Sequence, residues 1–237
     1  MTEPVVVSED LKRKAADIER LLETEYGRPP RRERRPPLDQ LILTVLSQHT
    51  SDANSDRAFD RLKARFQTWE DVRGADPEEI ADAIRPGGLA AIKAPRIKDL
   101  LERISEERGR PTLDFLKGMG LEDARKYLLG LNGVGPKTAA VVLLFSLGLP
   151  AFPVDTHVHR VTRRLGLIGP NVTAEDAHRL MDAMVPPEDA YPFHINLITH
   201  GRRVCKAPRP LCEICVLAEK CDYYQAVVRG ERRESRL

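Results

Sequence analysis

Four cysteines near the end of the chain have the spacing of metal ligands. They form the pattern C-x6-C-x2-C-x5-C and are Cys205, Cys212, Cys215 and Cys221. Four thiolates in one short segment suit either a tetrahedral zinc ion or an iron–sulfur cubane. Structural zinc sites usually contain two C-x2-C pairs, whereas this segment contains one. The spacing therefore favours an iron–sulfur cluster and leaves zinc as the alternative.

A lysine stands where a helix ordinarily avoids a cation. In LNGVGPKTAAVV (131–142), Pro136 suits the first helical position, so Lys137 falls in the first turn of an apolar helix. The N-terminal end of a helix is partially positive, which disfavours a charged lysine there by roughly 0.3–1 kcal/mol. The position suits either an amine that reaches solvent or an amine that deprotonates easily and can act as a nucleophile.

A carboxylate follows at the start of the next predicted helix. Asp155 in VDTHVHRV (154–161) precedes a stripe of Val158, Val161 and Leu165 at helical spacing. An aspartate at this position is predicted to cap the helix, whatever else it does. After the helix that begins at Lys137 the chain must turn back, so the lysine and the aspartate can face a common groove.

The turn before Lys137 contains two glycines. Gly133 and Gly135 allow positive φ angles and the close approach of another backbone. Backbone N–H groups at the start of a helix form an anion site, and the alternative is an ordinary turn between packed helices. Net charge is only +2, but basic clusters occur at 28–37, 160–165 and 201–210. These clusters favour a nucleic-acid phosphate as the anion.

The segments that carry these residues read as helices. Apolar residues recur at helical spacing along most of the chain, and the only β-branched run of note is Val5–Val7. The fold class is therefore predicted to be all-α. No secretory signal is visible, and the longest apolar run, 139–152, is broken by Gly148 and Pro150 and is too short for a membrane span of roughly 20 residues. We expect a cytoplasmic protein without membrane contact.

The segment 131–161 resembles the signature of the endonuclease III family of helix-hairpin-helix DNA glycosylases, L-P-G-V-G-x-K-T-A followed by V-D-T-H and an arginine. The resemblance implies that Lys137 is the nucleophile and Asp155 the catalytic carboxylate. It also implies that the turn of Gly133 and Gly135 contacts DNA phosphate. This sequence has Asn132 where the family has proline, and Pro136 removes one N–H near the phosphate turn.

Other segments extend the resemblance from roughly Leu11 to Cys221. LSQHTSDANSDRAF (46–59) is similar to the family's L-S-A-Q-A-T-D segment, which supplies a polar wedge for the space that a flipped base leaves. His49 stands where the family has glutamine, and Gln48 where alanine is usual. GGLAAIKAPRI (87–97) resembles the second wedge loop, with Leu89 at the inserting position or, alternatively, packed in the core.

The cysteine pattern matches the [4Fe–4S] loop of the same family. By this resemblance the four cysteines hold the cluster, and the loop with Lys206 and Arg209 lies along the DNA backbone. The implied fold has two helical domains with a lysine–aspartate cleft between them. One is a helical barrel of 37–149 with the hairpin, and the other combines 1–36 with 150–237 and holds the cluster.

The resemblance implies a monomeric, bifunctional DNA glycosylase and AP lyase of base excision repair. Its partner is duplex DNA with a damaged base or abasic site, and its expected substrates are oxidised pyrimidines. A mismatch-type glycosylase on the same fold and a non-catalytic DNA-binding scaffold are the alternatives. Lys137 argues against an adenine glycosylase, and the pair of Lys137 and Asp155 argues against a scaffold. An electron-transfer ferredoxin would need neither the hairpin nor basic loops.

Overall fold

The computed structural model describes residues 5–31 and 33–228, with the side chain of Val228 excepted, and this part of the chain is helical. No strand occurs in the described ranges, and Val5–Val7 is irregular, so the all-α prediction is confirmed. No helix in the described part of the chain is long and apolar enough to cross a membrane. The helices are α1 Glu9–Tyr26, α2 Pro37–Leu46, α3 Asp52–Arg65, α4 Trp69–Gly74, α5 Pro77–Ile84, α6 Ala90–Arg108, α7 Leu121–Leu129, α8 Pro136–Val141, α9 Thr156–Leu165, α10 Ala174–Met184 and α11 Ala190–Arg203.

Short non-α segments join these helices. The 3-10 turns are Arg85–Gly87, Asp114–Gly118, Cys212–Ile214 and Ala218–Lys220, and the π-helical segments are Val142–Leu147 and Tyr224–Val228. The apolar helix that begins at Pro136 is therefore α-helical only as far as Val141 and continues as a π-helical segment. Gly148, with φ +68°, ends the π-helical segment.

The chain divides into two compact units. The central unit is Glu33–Leu149, and the terminal unit joins Met1–Arg32 to Pro150–Leu237. Both Lys137 and the wedge candidates belong to the central unit, whereas Asp155 and the four cysteines belong to the terminal unit.

The core of the central unit forms around α2 and α6. The buried residues of α2 lie on most sides of the helix, so α2 has no wide polar face. They include Leu41, Ile42 and Val45. Helix α6 buries a stripe at Ile97, Leu100, Leu101 and Ile104, which is the i, i+3, i+4, i+7 pattern of an amphipathic helix. This stripe anchors α6 and so determines which of its other residues reach the loops described below.

In the terminal unit, α11 packs against α1 and α9. The sequence explains the start of α9, because Asp155 Oδ1 accepts a hydrogen bond from the Val158 amide over 2.7 Å and caps the helix as predicted. Asp76, by contrast, occupies the N-cap position of α5 but makes no capping bond with its side chain.

Candidate active site and DNA interface

The hairpin consists of α7, a short turn and α8, and its turn is anchored by apolar residues. Leu131 and Val134 are buried, while Gly133 and Gly135 between and beside them are exposed. Gly133 adopts the positive φ that a glycine allows, +74°. Gly135 does not, because it is the N-cap of α8 and has the extended backbone usual at that position, φ −91° and ψ 177°. The turn thus exposes main chain beside a helix start.

Packing within the chain does not require a glycine at position 135. A Cβ atom built at this position meets nothing within 4 Å. Its absence leaves the main chain of the turn open to a close approach from outside. This is the property that an N-terminal phosphate site requires.

Lys137 is the second residue of α8 and is partly buried. No acidic residue occurs in the first turn of this helix, and Thr138–Val141, which follow directly, are all buried. The lysine therefore lies at the border between the exposed turn and the core. This border combines partial burial with the positive end of a helix.

Asp155 lies at the start of α9, where its backbone is extended. Its capping bond to Val158 uses one of the two carboxylate oxygens. An aspartate has acceptor capacity beyond a single hydrogen bond, so capping leaves it able to accept another proton donor or to stabilise a cation. The common cleft for Lys137 and Asp155 stays a prediction.

The wedge candidates have unusual backbone conformations. Among the described residues, His49 (φ +56°) and Leu89 (φ +50°) are the two positions other than glycine with positive φ. The left-handed region is rare for a leucine and costs of order 1–3 kcal/mol. Strain of this kind is concentrated at functional sites, and here it coincides with two of the positions that the resemblance indicated.

Leu89 is not packed in the core. Its side chain is 49% exposed, and Ile92, one turn further along, is 66% exposed. The alternative of a buried loop leucine is therefore wrong. Two exposed apolar side chains therefore lie at the start of α6, where the resemblance predicts a wedge.

Two cations of α6 contact the same region, although no motif in the sequence marks either of them. Lys93 is 3% exposed, and its Nζ donates to the carbonyls of Leu46 (2.7 Å) and Gly87 (2.8 Å). Arg96 donates from Nη1 to Gln48 Oε1 over 3.0 Å and from Nη2 to the Gly133 carbonyl. Lys93 lies four residues before Ile97, so a lysine in the buried stripe was the signal available in the sequence.

The four cysteines line one cavity in the terminal unit, together with His200 and Arg164. His200 is buried, and burial lowers its pKa to about 4, so its ring is neutral at pH 7. Its Nδ1 lies 2.9 Å from the Tyr26 hydroxyl and its Nε2 3.5 Å from Cys215 Sγ. When the hydroxyl donates to Nδ1, the Nε2–H group faces the cysteine sulfur.

Two thiols of this cavity, Cys215 and Cys221, ionise less readily than an exposed thiol. Burial, with a smaller contribution from the other three thiols, raises the pKa of Cys215 to about 11, and burial likewise raises the pKa of Cys221. Arg164 supplies one cation, since its Nη1 lies 3.4 Å from Cys205 Sγ. Within the described ranges, no three His, Cys, Asp or Glu side chains gather as ligands of one metal ion.

Arginines of α9 hold the main chain of the cysteine loop. Arg164 donates to the carbonyls of Lys206 (2.7 Å) and Ala207 (2.8 Å), and Arg160 Nε donates to the Cys205 carbonyl over 3.1 Å. The side chains of Lys206 and Arg209 are exposed. The loop therefore exposes two cations, and its main chain is held by hydrogen bonds from the arginines of α9.

Comparison with known proteins identifies the family. The model of the HhH-GPD superfamily base excision DNA repair protein matches residues 42–187. The endonuclease III of Thermotoga maritima is 36% identical over 217 residues, which are 91% of this chain and 97% of that protein. An Arabidopsis thaliana protein named "Putative DNA glycosylase" is 41% identical over 165 residues, which are 70% of this chain but 56% of that longer protein.

A solved structure agrees with these relatives. It is a trapped endonuclease III–DNA covalent intermediate in an estranged-adenine complex, with a TM-score of 0.79 and 28% identity, and the match covers 94% of this chain and 100% of that chain. The chain therefore belongs to the HhH-GPD superfamily of base excision DNA repair proteins. Within it, the match over nearly the full length of the Thermotoga maritima protein places the chain in the endonuclease III family.

Proposed function

We propose that the protein is a bifunctional DNA glycosylase and AP lyase that removes oxidised pyrimidines from duplex DNA. The observation that carries the proposal is the position of Lys137, in the first turn of α8 directly behind an exposed glycine turn. The turn suits a DNA phosphate, and the lysine next to it suits attack on the adjoining sugar.

In the proposed reaction, neutral Lys137 Nζ forms a bond to the sugar C1′ while the bond between C1′ and the base breaks. The base leaves with the bonding electron pair and is protonated. The amine loses its proton, the sugar ring opens and a Schiff base forms. Loss of a proton from C2′ then expels the 3′ phosphate by β-elimination, and water releases the lysine.

We assign to Asp155 the stabilisation of positive charge on the sugar and the acceptance of the amine proton. Its capping bond supports this role, because it fixes the carboxylate at the helix start and leaves further acceptor capacity. Gly133 and Gly135 would contact phosphate, and Gln48, His49 and Leu89 would act at the flipped base.

We further propose that the four cysteines hold a [4Fe–4S] cluster, which the family typically contains. The donor set fits this group. Four thiols line one cavity, and the His200 Nε2 and Arg164 Nη1 groups lie against two of the sulfurs, where they can offset thiolate charge. The cluster would maintain the fold of the loop whose Lys206 and Arg209 we assign to the DNA backbone. The protein would act in the compartment that holds the chromosome.

Borohydride trapping tests the central assignment. The wild-type protein, incubated with duplexes that carry an oxidised pyrimidine, is expected to form a covalent adduct with DNA, because reduction fixes the Schiff base. Lys137→Ala is expected to give neither adduct nor strand cleavage, yet to bind the duplex. Lys126→Ala, an exposed lysine of the preceding helix, is the matched control and should trap like wild type.

The same assay separates the alternatives. An adduct in Lys137→Ala would show that another amine is the nucleophile. Excision from G·T or G·U mismatches, without action on oxidised pyrimidines, would favour the mismatch-type glycosylase. DNA binding without excision from any of these duplexes would favour the scaffold.

A further inference from the structure

Arg96 joins two segments of the central unit that are distant in sequence. Its guanidinium donates to the Gln48 side chain in the loop after α2 and to the Gly133 carbonyl in the hairpin turn. A Cβ atom at position 133 would overlap this guanidinium, so a side chain there would displace Arg96 from this contact and would also be strained by the positive φ. One rigid fork therefore links the turn assigned to phosphate with the loop assigned to the flipped base.

The contact determines how the Gln48 amide is oriented. A guanidinium can only donate hydrogen bonds, so the group that faces Arg96 must be Oε1. The side chain can then offer its Nε2 group, which only donates hydrogen bonds, to another molecule. Without Arg96 either end of the amide could be presented.

Lys93 fixes the main chain around the same side chain. Leu46, whose carbonyl accepts from Lys93, is the last residue of α2 and lies two residues before Gln48. Gly87, the other acceptor, lies two residues before Leu89. Because Lys93 and Arg96 are three residues apart on α6, they lie on the same side of the helix. Lys93 therefore holds the main chain two residues before Gln48, and Arg96 binds the Gln48 amide itself.

We propose that Arg96 is a positioning residue for base extrusion, which orients Gln48 so that its amide nitrogen donates to the base left without a partner. The proposal rests on the proposed function, because that function supplies the flipped base. It adds a residue and a hydrogen-bonding direction. It also links the contact of the hairpin turn with phosphate to the filling of the base stack. The link is physical, because a single guanidinium bonds both the Gly133 carbonyl and the Gln48 amide.

A binding assay without catalysis provides the test. The probe is a duplex with a tetrahydrofuran abasic-site analogue and 2-aminopurine opposite, whose emission rises when it is unstacked. Wild type should raise the emission at saturation. Arg96→Lys keeps the charge but loses the fork, and Gln48→Ala loses the amide, so each should reduce the rise to less than about half.

The two residues should act as one unit. The double variant should then match Gln48→Ala alone, whereas independent effects would combine. Gln48→Glu keeps an acceptor for Arg96 but offers no donor, so it should behave like Gln48→Ala. Arg103→Lys, which changes an exposed ion pair with Glu107 on the same helix, is the control and should match wild type.

Excision rates add a second readout. In single turnover, Arg96→Lys should be slower by about tenfold on a fully paired lesion duplex, the size expected from losing a hydrogen bond to a charged group. It should match wild type when the lesion lies opposite a gap, because no partner base is then present to accept the amide hydrogen bond. Equal losses on both substrates, or combined losses in the double variant, would overturn the proposal, as would wild-type behaviour of Gln48→Glu.

The failure of this inference differs from that of the proposed function. If wild type raises the 2-aminopurine emission but excises no base, the glycosylase assignment fails and the Arg96 assignment stands on the emission of the variants. If excision occurs but Arg96→Lys unstacks the probe as wild type does, only the Arg96 assignment fails. If the wild-type protein gives no rise in emission, the Arg96 assignment is overturned as well.

Discussion

Asp155 has a structural role as the cap of α9 and a chemical role that we propose, and two substitutions separate them. Asp155→Ala removes both the capping bond to Val158 and the charge. Asp155→Asn retains a side-chain oxygen for the cap and removes only the charge. We expect both variants to excise a base far more slowly than wild type, because neither offers a carboxylate to the sugar.

Only the alanine variant should lose stability. Loss of an N-cap costs about 1 kcal/mol, and asparagine caps about as well as aspartate. For a chain of this size, about 1 kcal/mol lowers the Tm by roughly 2–4 °C. Thermal unfolding followed by circular dichroism should therefore show this decrease for Asp155→Ala and a wild-type Tm for Asp155→Asn.

Thr173 provides the matched control in the same unit. Its hydroxyl caps α10 by accepting from the Asp176 amide over 3.1 Å. Thr173→Ala should lower the Tm about as much as Asp155→Ala does, while single-turnover excision stays at the wild-type rate. If Asp155→Asn excises at the wild-type rate, Asp155 is only a cap. If Asp155→Ala keeps the wild-type Tm, the value assigned to the capping bond is wrong.

Three further predictions concern the wedge, a buried acid and the cysteines. Leu89→Ala should weaken excision from a paired duplex and spare a lesion in an already distorted site, and equal losses on both would refute the wedge. Burial, with a smaller contribution from Asp189, raises the pKa of Glu19 to about 7, so the folded state binds its proton more tightly than the unfolded chain. The contribution of Glu19 to stability is therefore largest at acid pH and falls as pH rises from its ordinary pKa to about 7. Glu19→Gln should be more stable than wild type at pH 8, by on the order of 1–2 kcal/mol, and nearly equal to it at pH 5, as measured by urea unfolding at both values. Anaerobically purified protein should contain about four irons per chain, and Cys212→Ser should lose them together with solubility, whereas one zinc per chain would contradict the cluster.

The sequence determined the features that depend on neighbours along the chain. Helical spacing predicted the helices, and an aspartate before the Val158 stripe predicted the cap of α9, because both signals act within one or two turns. The hairpin was predictable for the same reason, since Gly133 and Pro136 mark a turn and a helix start. The four cysteines could be predicted as a ligand set from spacing alone, because such a prediction within one loop requires no distant partner.

Only the tertiary structure decided features that depend on residues far apart in the sequence. Arg96 contacts Gln48 and Gly133, and Lys93 contacts Leu46, because packing of the α6 stripe brings this helix against two loops. The exposure and left-handed backbone of Leu89 were likewise not predictable, because the sequence left both an exposed and a buried position open for this leucine. A leucine or an arginine has no local preference that reveals such a position, so the physical reason is long-range packing, which the linear pattern does not encode residue by residue.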